Sequence, residues 1–139
     1  LTVIEFAVKY AMAFIGVPYE WGGDNALGLD CSGFVGVILR AVGVIENQAD
    51  YNAQGLFHKL HECQTVTPEA GCVVFYGRSI TRITHVAFMV DDRHILEAGG
   101  GNSKTTSLEV ADDQNAMVRG RPYNYREVIA IVDPFAQER

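Results

Sequence analysis

Cys31 stands in a context that activates thiols. It follows the Gly-rich stretch Tyr19-Glu20-Trp21-Gly22-Gly23 and lies within Asp30-Cys31-Ser32-Gly33-Phe34, at the predicted start of a helix. A helix start presents unpaired backbone N–H groups and the positive end of the macrodipole. Both favour the thiolate, the nucleophilic form of cysteine. Such a nucleophile needs a base within reach. Of the four histidines, His58 and His61 fall in a stretch containing Lys and Glu and read as solvated surface residues. His85 opens the apolar run His85-Val86-Ala87-Phe88-Met89-Val90. A strand holds a side chain more rigidly than a loop does, which suits a general base.

A third group follows from strand geometry. Asp91, Asp92 and Arg93 separate the His85 strand from a second one, His94 to Ala98. With all three residues in the loop, Val90 faces His94 and Ala87 faces Glu97. Side chains alternate along strands, so His85, Ala87 and Glu97 share a face. Glu97 is then the diagonal neighbour of His85, and small Ala87 leaves room for them to meet. His94 points to the opposite face. A two-residue loop would reverse the arrangement, so this expectation rests on one loop residue. Taken singly, each residue also has an ordinary reading: a half-buried, hydrogen-bonded strand histidine, a solvated glutamate at a hairpin end, and Asp30 as an N-cap.

The elements that must position these groups are legible in outline. Apolar spacing predicts a helix from Val3 to Ile15, stopped by Gly16 and Pro18. Trp21 to Leu29 reads as a loop. A second helix is expected from Cys31 to about Ala41, with Phe34, Val35, Ile38 and Leu39 as its buried stripe and Gly43 as its stop. A third covers Ala53 to His61, with Leu56, Phe57 and Leu60 turned inward. Strands are expected at Cys72–Tyr76, His85–Val90, His94–Ala98, near Met117–Arg119 and at Val128–Val132, with Pro134 ending the order. Helices first and strands later predict an α+β class with an antiparallel sheet.

Composition narrows the function. The 139 residues suffice for one domain with a core, and residues 1–139 are expected to form a single domain. A formal net charge of −6 without any basic run argues against nucleic acid or anionic membrane as the main partner. No stretch is long and apolar enough to cross a bilayer, and no signal peptide is visible. The chain begins at Leu1, as expected of a mature product or a piece of a longer protein. The three cysteines, Cys31, Cys63 and Cys72, are too few for a disulfide scaffold. Cys72 reads as a buried small hydrophobe, and Cys63 would pair with it only in an oxidising compartment. No metal-ligand spacing occurs, and no metal or organic cofactor is expected.

The residues Pro18–Gly23 and Leu29–Val35, together with His85–Val90, resemble the NlpC/P60 family of papain-like cysteine peptidases that cut bacterial cell-wall peptides. Tyr51-Asn52-Ala53-Gln54 looks like a family segment between the two blocks. The resemblance implies N-terminal helices packed on a central antiparallel sheet, with Cys31 as nucleophile and His85 as base. The family's third, orienting residue is most often His, sometimes Asn or Gln. Here that position is Glu97, the residue already reached from hairpin geometry. Tyr19 matches a tyrosine beside the nucleophile, whose hydroxyl could help hold an oxyanion. Asp30 and Ser32 match positions lining the substrate cleft, with Trp21 beside them.

Cys72 stands where the family usually has Asp, and Glu97–Gly101 resembles phage-associated members. The resemblance therefore implies a peptidoglycan peptide substrate and an extracytoplasmic, cell-envelope or phage-particle setting. Further domains of a longer chain or phage tail proteins would be its partners. Two other functions remain open at this point. One is an amidase or acyltransferase using the same thioester. The other is a wall- or partner-binding module with a degenerate site.

Overall fold

The computed structural model describes residues 1–25 and 27–139. Helix α1 spans Val3–Met12, with the Thr2 hydroxyl accepting from Glu5 N–H. It ends three residues short of the expected Ile15. Beyond it Gly16 N–H donates to the Val118 carbonyl, and the Val118 N–H donates to Val17, so strand pairing draws the chain off the helix axis. The expected loop from Trp21 to Leu29 contains a small hairpin, β1 (Asp24–Asn25) against β2 (Gly28–Leu29); Ala26 of that run lies outside the described residues.

Helix α2 is Cys31–Ala41, as predicted. Asp30 is its extended N-cap, and Gly43, at φ +77°, takes the left-handed conformation that ends it. Phe34, Val35, Ile38 and Leu39 are wholly buried. Helix α3, Ala53–Leu60, is capped by Asn52 and runs into a 3₁₀ turn, His61–Cys63. Leu56, Phe57 and Leu60 face the core as expected.

The strands follow: β3 (Gln64–Thr65), β4 (Val73–Gly77), β5 (Ile83–Met89) and β6 (His94–Gly99). After a short helix α4 (Leu108–Asp113) come β7 (Met117–Pro122) and β8 (Val128–Val132). They form one antiparallel sheet in the order β3-β8-β4-β5-β6-β7. Val73, Phe75, Val86 and Phe88 pack toward the helices; Val74, Tyr76, Ala87 and Met89 face the other way, under Tyr123 and Tyr125. Both faces of the central strands are thus covered, and burial of each valine, phenylalanine and methionine among these side chains contributes about 1.5–3 kcal/mol. Pro134 does not end the order. Phe135 is buried behind it, a 3₁₀ turn spans Ala136–Glu138, and Arg139 bonds the Asp133 carboxylate at 2.7 Å. All three cysteines are free thiols.

Candidate active site

Cys31 is the first residue of α2, and Asp30 welds that helix start to the preceding loop. One Asp30 oxygen accepts from Gly33 N–H at 2.7 Å and from the Ser32 hydroxyl at 3.3 Å. The other accepts from Gly22 N–H at 3.0 Å, and Asp30 N–H donates to the Gly23 carbonyl. A side chain at Gly33 would run into that same carbonyl, so only glycine lets loop and helix meet so closely. The N-cap reading of Asp30 is therefore observed, and its carboxylate also lines the cleft beside Cys31, Ser32 and Trp21.

Strand β5 supplies His85. Its N-terminal end is pinned by Gln54, whose side chain accepts from Ile83 N–H and donates to the Ile80 carbonyl, each at 2.8 Å. Across the hairpin, Phe88 faces Leu96 and Met89 faces Ile95, and Val90 N–H donates to the His94 carbonyl. This is the three-residue loop. The Asp91 carboxylate holds it closed by accepting from Arg93 and His94 N–H groups. His85 Nε2 then lies 2.8 Å from Glu97 Oε1. An ionised carboxylate only accepts, so Nε2 carries the proton and Nδ1 is the nitrogen left for Cys31.

Glu97 is 1% exposed. The same Oε1 accepts from the Tyr125 hydroxyl at 2.7 Å, while Oε2 sits 3.4 Å from Arg121 Nε and 3.8 Å from Arg119 Nε. Burial alone would push the Glu97 carboxyl up. The bonds from His85 and Tyr125 and the Arg121 charge outweigh it, holding the group below the usual carboxylate range. Burial likewise pushes His85 down, but Cys31 and Glu97, each acting by hydrogen bond and charge, leave its pKa raised to about 9. The imidazole is thus favoured in its charged, protonated form once it has accepted a proton.

Tyr19 is buried beside them. Burial and the charges of Cys31 and Asp30 push its phenol up, so it stays a protonated donor. A side chain at Gly101 would overlap the Tyr19 ring, which is why the glycine tract can pass over it. Trp21 forms an exposed rim of the cleft, its backbone N–H anchored on the Thr105 carbonyl at 2.8 Å. Among the described residues, His58, His61 and His94 do not line the cleft.

Sequence reasoning missed Arg119, Arg121, Tyr125 and Arg126, which also line it. A signal was present: Arg119 and Arg121 alternate on one face of a strand, and Arg119 pairs in register with Glu97. Only the pairing of β6 with β7, distant in sequence, reveals it.

The comparisons agree with this architecture. Peptidoglycan endopeptidase RipA of Mycobacterium tuberculosis is 31% identical over 107 residues, covering 68% of this chain and 22% of its own. Bifunctional muramidase/DL-endopeptidase CwlT of Bacillus subtilis is 30% identical over 111 residues, covering 78% of this chain and 31% of its own. The chain thus spans less than a third of the length of either relative. The fold matches the NlpC/p60 domain of peptidoglycan hydrolase SagA with a TM-score of 0.65 at 20% identity, covering 93% of this chain and 97% of that one. It also matches RipD of M. tuberculosis, described as a non-catalytic NlpC/p60 domain protein adapted to peptidoglycan binding, with a TM-score of 0.69 at 16% identity over 95% of this chain and 97% of that one. The NlpC/P60 family model matches residues 16–122, and with a papain-like α+β fold around the cleft the chain belongs to the NlpC/P60 family.

Proposed function

We propose that this chain is a cysteine endopeptidase that hydrolyses amide bonds in peptidoglycan stem peptides, with Cys31 as nucleophile and His85 as base. The observation that carries the reading is the contact of His85 Nε2 with a buried, ionised Glu97, on a ring that Cys31 also reaches by hydrogen bond. Cys31 transfers its proton to His85 and attacks the amide carbonyl as a thiolate. The backbone N–H of Cys31 and the Tyr19 hydroxyl donate to the oxyanion that forms. As the tetrahedral intermediate collapses, the C–N bond breaks and His85 gives its proton to the leaving amine. Water then attacks the thioester with His85 taking its proton. The acid leaves, and the Cys31 sulfur takes the proton back. Glu97 fixes the tautomer of His85 and stabilises the imidazolium throughout.

Asp30, Ser32 and Trp21 form the wall on the acyl side in this reading. In this reading the chain works where that polymer lies, in a cell envelope, or is carried to it in a phage particle. Among the described residues no helix is long and apolar enough to cross a membrane. The test is digestion of purified peptidoglycan with identification of the new termini by mass spectrometry. Wild type should release peptides and Cys31→Ala should release none while still unfolding in one cooperative transition. Cleavage retained by Cys31→Ala rejects the mechanism. A repeat with added amine separates hydrolysis from acyl transfer by the mass of the product.

A further inference from the structure

We infer that Arg119, Arg121 and Arg126 form a carboxylate-binding wall on the leaving-group side of the cleft, selecting stem peptides whose departing fragment carries a free carboxylate. The inference rests on the reading of Cys31 and His85 above. His85 must hand its proton to the leaving amine, so that fragment lies against the imidazole. The groups around the far side of the ring are Glu97, Tyr76 and, beyond them, the three arginines, all but Tyr76 lining the same cleft as Cys31.

Their charge is not used up within the fold. The chain as a whole is acidic, at −6, yet here two guanidiniums stand beside one carboxylate and a third lines the same cleft. Glu97 Oε2 stands 3.4 and 3.8 Å from Arg121 and Arg119, and the buried Nε atoms of both arginines make no hydrogen bond. Arg126 has no ion pair among the described residues.

The arginines are also pre-arranged. The Arg121 guanidinium lies 4.8 Å from the centre of the Tyr125 ring, and that of Arg126 5.3 Å from Tyr76. A guanidinium laid on an aromatic face is oriented while its N–H edge stays available. That edge matches a carboxylate as a two-pronged partner, whereas a primary amide offers neither the charge nor two acceptors.

The probes are a synthetic stem tetrapeptide with free carboxylates and the same peptide with them converted to primary amides. Binding to Cys31→Ala is measured by calorimetry, and kcat/KM with wild type. The carboxylate form should bind, and be cut, at least about tenfold better, the usual scale of one charge-assisted contact. Arg126→Gln, made at an exposed residue that does not pair with Glu97, should raise KM for the carboxylate peptide and shrink the affinity ratio to about two or less. Equal binding of the two peptides, or a ratio that survives Arg126→Gln, overturns the inference. If wild type cuts neither peptide, the endopeptidase reading fails while calorimetry still decides the carboxylate wall.

Discussion

His85 lies between two groups that both favour its charged form, and each can be removed separately. Glu97→Gln keeps the shape of the orienting side chain but deletes its charge and offers His85 Nε2 an amide. In the proposed mechanism the attacking state, formed once the Cys31 proton has passed to the ring, carries a protonated His85, so the alkaline limb of activity follows the His85 pKa of about 9. Losing the carboxylate removes one of the two causes that raise that pKa. The alkaline limb should therefore move to lower pH in Glu97→Gln, and kcat/KM should fall at least about tenfold. An unmoved limb in the pH–rate profile would show that the carboxylate does not tune the base. Tyr125→Phe is the milder companion. It deletes the 2.7 Å bond to Glu97 Oε1 without touching His85, and should cost about 1 kcal/mol of stability in urea unfolding.

At the scale of elements, the helix that presents Cys31 depends on how closely the preceding loop approaches it. Asp30 ties three groups of that junction together, and Gly33 leaves room for the Gly23 carbonyl. Asp30→Ala should cost about 1–2 kcal/mol from the cap. Gly33→Ala should cost about 1–3 kcal/mol by overpacking, and because the strain lies two residues from the sulfur, activity should fall further than stability alone accounts for. Denaturant unfolding and peptidoglycan digestion of the same samples check both.

The same element shows why some structure was readable and some was not. Helix α2 combines a cap, a four-residue apolar stripe and a glycine stop, all local signals, so its bounds follow from the sequence. The β5–β6 hairpin was legible because one loop length determines every side-chain direction, and that brought Glu97 to His85. Helix α4 was not, since Ala111 is its one buried residue and it carries no apolar period. Strand β3 has two residues and exists only by pairing with β8. Tyr125 and the arginines reach the site through long-range register, to which local pattern is blind.

For the whole molecule, the coupling within the site makes stability depend on pH in a predictable direction. His85 has a pKa of 6.5 when free and about 9 when folded, so the folded chain binds protons more tightly than the unfolded one. That contribution is complete below about pH 6.5 and is lost as pH rises toward 9. Glu97 acts with the opposite sign: its folded value lies below the free value of 4.5, so its contribution is present above that and is lost as pH falls through the folded value. Between these two limits both stabilise the fold. Thermal unfolding should accordingly show a maximum at about pH 5–6.5, with Tm declining on the alkaline side. Cys31 is first among the groups that raise His85, so Cys31→Ala should flatten that decline, and His85→Gln should flatten it further. A decline equally steep in His85→Gln would place its origin in groups outside the cleft and would break the link between the charge state of the site and the stability of the fold.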